Sequence, residues 1–156
     1  MKSNSVSRAF KAMSIRMTIG GLLASVPVMA QSAKAESGGK PCSNRTLQGD
    51  YGFALEGVLI GPGLQLRGVV MQHYDGKGGL TQVDHIVTGG FPPSQEWTPG
   101  TGTYTVNADC TGSAVLTIPN NPDSPVNLHF VVVRRGREIR QLVDANAVTA
   151  VGVKVD

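Results

Sequence analysis

The chain has 156 residues, with 14 lysines and arginines, 11 acidic residues and a formal net charge of +3. It contains 20 glycines and 9 prolines, while charged residues make up 16% of the chain and apolar residues 40%. This composition argues against a coiled coil, a helical bundle and a wholly disordered chain. The length suits one domain with a core of its own.

The first thirty residues have the composition of an export signal. Four basic residues and no acidic one occur before position 17, and an apolar segment follows over residues 19–30. These are the parts of a secretory signal peptide, and the apolar segment is shorter than the ~20 residues that a membrane span needs. We predict a signal peptide over 1–30, cleaved after Ala30 (alternatively after Ala35), and a secreted or periplasmic protein.

Loss of this signal would reverse the net charge. Four of the 14 basic residues and none of the 11 acidic ones lie within 1–30, so the chain from Gln31 onward carries −1. Proteins that bind nucleic acid normally present an excess of positive charge to the phosphates. We therefore expect no nucleic-acid partner.

Both cysteines, Cys42 and Cys110, follow the signal. In an exported domain two cysteines most simply form a disulfide, which would close a long loop and add about 4 kcal/mol of stability in the chain-entropy treatment. The alternatives are two free thiols or a metal site, but no histidine lies at metal-ligand spacing from either cysteine. We expect no metal and no cofactor.

After the signal, the sequence predicts a short leader, one helical turn and a series of strands. Residues 31–41 are predicted as a flexible leader and 42–156 as the folded domain, which starts with one helical turn capped by Ser43 or Asn44. Beyond this turn apolar residues recur with a period of two, which is typical of β-strands. Strands are predicted at 51–59, 64–74, 80–88, 101–106 and 112–118, on both sides of the arginine-rich tip 134–137, and at 148–155.

Glycine, proline, asparagine and aspartate separate these strands. Short turns are predicted at 61–63, 75–79, 107–111 and 119–123, and a longer loop with three prolines at 89–100. Across the tip 134–137, pairing Val132 with Ile139 and Phe130 with Gln141 makes the apolar faces coincide.

Eight short strands without a long helix predict an all-β domain. Because the connections are short, we predict an eight-stranded antiparallel up-and-down barrel rather than a Greek-key sandwich. An outer-membrane barrel would need longer strands, a continuous apolar band and aromatic girdles. The chain from Gln31 onward has seven aromatic residues, and charged side chains are predicted to face outward, so we expect no transmembrane segment there.

Three stretches resemble a group of small secreted bacterial proteins. They are Cys42–Phe53 (CSNRTLQGDYGF), Tyr74–Gly78 (YDGKG) and Gly102–Gly112 (GTYTVNADCTG). This group consists mostly of uncharacterised single-disulfide barrels similar to calycins and lipocalins, and the likeness covers nearly all of the chain after the signal. The resemblance implies a disulfide between the N-terminal segment and the turn between the fourth and fifth strands. It implies no catalytic residues, since its motifs are turns and strand starts.

A barrel of this size has room for packed side chains or for one small ligand. We therefore expect a binding module for a small apolar ligand or a protein partner, with its oligomeric state left open. The residues predicted to face the interior are Tyr51, Phe53, Leu55, Tyr104, Leu116, Leu128, Phe130, Ile139, Gln141 and Val143. Phe91 and Trp97, in the long loop, are predicted to act as a lid or contact surface, with a tryptophan that caps the core as the alternative.

Two other functions remain as alternatives. One is a structural or antigen-like surface protein with a filled core, and the other is an isomerase or cyclase that confines its substrate in the barrel. The chain has no nucleophile elbow, zinc-protease helix or phosphate loop, which makes an enzyme the less favoured interpretation. Gln82 and Asp84 share one face of the third strand and form a polar cluster that would line the interior if this face were inward. The pattern leaves the inward face of the second and third strands open, and a solvent-facing Asp84 is the favoured alternative. The interior volume separates the filled core from the other two functions.

Overall fold

A computed structural model describes residues 40–156; the predicted signal peptide, and the leader up to residue 39, lie outside the described residues. The described chain forms one closed antiparallel barrel in which each strand pairs with the next in sequence. The strands are Gly49–Leu59 (β1), Leu64–Tyr74 (β2), Gly79–Thr88 (β3), Thr98–Val106 (β4), Thr111–Thr117 (β5), Val126–Val133 (β6), Glu138–Val143 (β7) and Ala147–Lys154 (β8). The predicted fold class is confirmed.

The register of the strands follows their apolar alternation. Pairing of β1 with β8 closes the barrel, so that every strand has a hydrogen-bonded neighbour on both sides. The predicted pairs Val132–Ile139 and Phe130–Gln141 are both present. Strand β4 begins at Thr98, three residues before the predicted start, because its first residues pair with β3.

The N-terminal segment is attached to one end of the barrel, which we call the closed end. A 3₁₀ turn at Asn44–Leu47 is capped by Ser43, and Leu47 is fully buried. The Cys42–Cys110 disulfide links this segment to the β4–β5 turn and confirms the predicted pairing. The side-chain Oδ1 of Asn44 also accepts a hydrogen bond from the Val106 backbone N–H, at 2.8 Å.

Three tyrosines fill the interior near the closed end. The Tyr74 ring meets the rings of Tyr51 and Tyr104 edge to face, with centroid separations of 5.4 and 4.9 Å. The Tyr51 hydroxyl donates to the Gly136 carbonyl and the Tyr104 hydroxyl to the Asn44 carbonyl. Burial raises the pKa of Tyr51 to about 12 and raises the pKa values of the other two phenols. This half of the barrel is therefore a packed core.

Two phenylalanines complete the packed half, and each lies against a glycine of a neighbouring strand. A Cβ atom at Gly112 would overlap the Phe130 ring, and one at Gly152 would overlap the Phe53 ring. The missing side chains thus leave the space that the rings occupy. Part of the high glycine content serves the core as well as the turns.

The inward face of β3 differs from the prediction. The sequence leaves the inward face of β3 open and favours a solvent-facing Asp84, and this preference is wrong: the side chain of Asp84 lies inside the barrel and the residue is 4% exposed. Leu80 pairs with Tyr74, and both belong to the core near the closed end. Because side chains alternate along a strand, Gln82 and Asp84 must then point inward as well. Val83 points outward and is partly exposed.

Candidate functional site

The half of the barrel opposite the closed end contains a cavity of about 460 Å³. Its mouth is formed by the β1–β2, β5–β6 and β7–β8 connections, which contribute residues such as Pro62, Asn121 and Ala145. Ligand sites of small molecules commonly enclose about 300–1,000 Å³. The apolar side chains on its walls are Leu55, Leu59, Leu66, Val70, Ile86, Leu116, Ile118, Val126, Leu128, Val143 and Val148.

The ten residues predicted to face the interior fall into two sets. One set lies at the cavity: Leu55, Leu116, Leu128, Gln141 and Val143. The other set is packed in the closed half, at most 4% exposed: Tyr51, Phe53, Tyr104, Phe130 and Ile139. Alternation along a strand predicts which side chains point into the barrel, and it predicted this for both sets. It does not predict at which positions along the barrel axis the interior is packed and at which it leaves a cavity.

The long β3–β4 loop does not contribute to the cavity wall. Phe91 and Trp97 are 78% and 48% exposed, and neither lines the cavity. The Trp97 ring lies against the His85 ring with a centroid separation of 6.2 Å, and His85 Nδ1 is 2.7 Å from the Glu96 carbonyl oxygen. Both aromatic side chains therefore lie on the outside of the barrel, away from the cavity wall.

A chain of hydrogen bonds runs along the interior of β2 and β3. The Tyr74 hydroxyl donates to Gln72 Oε1 at 2.6 Å, and Gln72 Nε2 donates to Gln82 Oε1 at 2.8 Å. Gln82 Nε2 in turn donates to Asp84 Oδ2, also at 2.8 Å. Gln72 and Gln82 both line the cavity and form a polar patch in its wall. Sequence reasoning missed Gln72, although the pairing of β2 with β3 places it directly opposite Gln82.

Asp84 ends this chain as a buried carboxylate. Burial raises its pKa, because the charged form loses hydration, while the hydrogen bond from Gln82 and the nearby His85 act in the opposite direction. Asp84 itself is not among the residues that line the cavity, whereas Gln82 is. The carboxylate therefore does not contact the cavity itself. It accepts a hydrogen bond from the Gln82 amide and so orients that amide in the cavity wall.

Gln141 supplies a polar group on another part of the wall. It lies on β7, which is separated from β3 by three intervening strands in either direction around the barrel. Its side-chain Oε1 is buried and has no hydrogen-bond partner within residues 40–156. A buried acceptor without a partner costs about 1–3 kcal/mol, and rotation about the last side-chain torsion would exchange the positions of this oxygen and the amide nitrogen.

Two histidines on the outside of the barrel lie next to carboxylates. His73 Nδ1 lies 2.7 Å from Asp50 Oδ1, and His129 Nδ1 lies 2.9 Å from Asp144 Oδ1. In the part of the chain that the structure describes, no group of three or more His, Cys, Asp or Glu residues is arranged to hold a metal ion.

The arginine-rich tip carries a buried carboxylate. Glu138 binds Arg134 and Arg140, with N–O distances of 3.1 and 2.9 Å, and its side chain is 8% exposed. Two of the four arginines near this tip are thus partly neutralised within the protein. This pairing reduces the positive charge that the tip offers to an external anion.

Comparisons with protein-family models, with curated proteins and with solved structures give no match to this chain. In residues 40–156 no helix is long and apolar enough to cross a membrane. The cavity and the side chains around it are therefore the observations from which a function is inferred.

Proposed function

We propose that this protein is an exported binding module that holds one small apolar ligand in the open half of its barrel. The observation that carries the proposal is the cavity of about 460 Å³ with its predominantly aliphatic wall. A structural protein with a filled core would have packed this space with larger side chains. Export is supported by the predicted signal peptide and by the disulfide, which suits an oxidising compartment.

The rest of the barrel supports binding by holding the cavity in shape. The sheet is closed, the opposite half is packed with aromatic rings, and the N-terminal segment is fixed by the Cys42–Cys110 bond. A preformed cavity reduces the free-energy cost of binding, because little of the protein has to become ordered when the ligand binds. The resemblance to small secreted lipocalin-like barrels agrees with this role.

Confinement catalysis is a second candidate, and Asp84 is the observation that favours it. An enzyme would need an inward acid or base with a shifted pKa, and the pKa of Asp84 is raised by burial. However, a group that transfers a proton must reach the ligand, and Asp84 does not line the cavity. Binding is therefore the conclusion that the geometry supports best.

A matched pair of tryptophan variants tests the binding function. Val143 lines the cavity, whereas its neighbour Leu142 points outward from β7 and is 45% exposed. The experiment titrates the protein without its predicted signal with the neutral fluorophore N-phenyl-1-naphthylamine. We expect saturable binding with one site, at least a tenfold loss of affinity in Val143→Trp because the indole fills the cavity, and no change in Leu142→Trp.

Circular dichroism and thermal unfolding establish that both variants are folded. The absence of saturable binding by the wild type, or an equal loss of affinity in the two folded variants, would overturn the proposal.

A further inference from the structure

The distribution of charge around the cavity restricts the ligand that it can hold. The described residues that line it include no lysine, arginine or histidine, and the mouth carries two carboxylates, Asp123 and Asp144. Asp84 places a third carboxylate behind the Gln82 amide. An anionic end group buried here would lose hydration and gain no cation in return. The site is therefore unsuited to a fatty-acid anion and suited to a neutral molecule.

The polar groups of the cavity wall differ in whether they have hydrogen-bond partners within the protein. Each oxygen and each nitrogen of the Gln72 and Gln82 carboxamides has one hydrogen-bond partner, supplied by the other glutamine, the Tyr74 hydroxyl or the Asp84 carboxylate. Gln141 Oε1, in contrast, has no partner among the described residues. A pure hydrocarbon in the cavity would leave this acceptor unpaired. A ligand with a hydrogen-bond donor would pair it and gain about 0.5–1.5 kcal/mol.

A hydroxyl group matches this requirement better than other neutral groups. It donates a hydrogen bond, so it can pair with the carboxamide oxygen, which is the atom without a partner, whereas an ether can only accept. The last torsion of a glutamine side chain has a broad energy profile, so the amide can turn its oxygen toward a ligand at little cost. The aliphatic side chains around Gln141 then contact the rest of the molecule.

Given the proposed binding function, we infer that the ligand is a neutral molecule with an apolar body and a hydroxyl group, and that this hydroxyl binds the Gln141 carboxamide. The cavity thereby distinguishes an alcohol from an ether of the same size through one hydrogen bond. It distinguishes the alcohol from a carboxylate through charge. Gln141 is the residue that gives the specificity, and the aliphatic wall gives most of the affinity.

Three competitors of equal chain length test the inference against bound N-phenyl-1-naphthylamine at neutral pH. They are decan-1-ol, its isomer methyl nonyl ether, which lacks a donor, and decanoate. We expect the alcohol to bind about three- to tenfold more tightly than the ether, as one hydrogen bond predicts. Decanoate should be the weakest of the three.

The variant Gln141→Leu removes the carboxamide and keeps an apolar side chain of similar size. Its alcohol-to-ether ratio should fall to about one, while the ether binds at least as well as it does to the wild type. Gln65→Leu is the matched control, since Gln65 is exposed on β2 and does not line the cavity.

The outcomes separate this inference from the function on which it rests. If neither the fluorophore nor any competitor binds in a saturable way, the binding function itself is wrong. If they bind but the wild type does not prefer the alcohol, or prefers decanoate, the inference is wrong and the binding function stands. The comparison of competitors on the wild type decides the matter even if Gln141→Leu fails to fold.

Discussion

At Asp84 the barrel holds a carboxylate inside a mostly apolar interior, with a hydrogen bond from the Gln82 amide. Its raised pKa has a consequence for stability, because the folded state keeps the proton to a higher pH than the unfolded chain does. The protonated carboxyl is the form that the interior favours. Stability from this group is thus fully present below the unfolded value of 3.8, and it is lost as the pH rises through the folded pKa.

Asp84→Asn should therefore raise the free energy of unfolding at neutral pH. The asparagine stays neutral at every pH, and its Oδ1 can still accept the hydrogen bond from Gln82. We expect the difference from the wild type to shrink toward zero below pH 3.8. Urea unfolding at pH 7 and at pH 3 measures both values, and equal stability of the two proteins at pH 7 would contradict the assignment.

Asp75 provides a control with the opposite sign. It accepts hydrogen bonds from the backbone N–H groups of Lys77, Gly78 and Gly79 at 2.7–2.9 Å, and these bonds lower its pKa. Asp75→Asn should therefore give no gain of stability at neutral pH, because the charged form is the one that the turn favours.

At the scale of elements, the disulfide and the 3₁₀ turn at Asn44–Leu47 together close one end of the barrel. The cross-link joins residues 68 positions apart, so it removes many conformations from the unfolded chain. The double variant Cys42→Ser/Cys110→Ser should unfold with a free energy lower by about 4 kcal/mol in denaturant titrations. A loss below about 1 kcal/mol would show that packing of the N-terminal segment suffices without the bond.

The strands show how far sequence reasoning reaches. The bounds of β2 and the pairing of β6 with β7 follow from turn residues and from the period of two. The inward face of β3 does not, because the inward face carries two polar residues, Gln82 and Asp84, while the outward face carries Val83. The decisive cue is the pairing of Leu80 with Tyr74, a residue large enough to be held in the core. The alternation of residues defines the two faces of a strand. Which face is buried depends on how the strand packs against its neighbours.

At the scale of the whole molecule, the barrel is divided along its axis into a packed half and an open half. Aromatic rings and the N-terminal segment fill the first, and aliphatic side chains with Gln72, Gln82 and Gln141 surround the cavity of the second. This division was not predictable from the sequence, since the volume left by side chains depends on how eight strands are staggered. It is also the feature on which the proposed function depends.

Methyl NMR of the protein without its predicted signal, titrated with decan-1-ol, tests the location of binding most directly. Leu55, Leu116, Leu128 and Val143 report on the cavity, and the exposed methyls of Val69, Val115 and Leu142 are controls within the same spectrum. We predict saturable shifts that are confined to the cavity set. Shifts confined to the outward-facing set, or no saturable shift at all, would contradict a ligand site in the open half of the barrel.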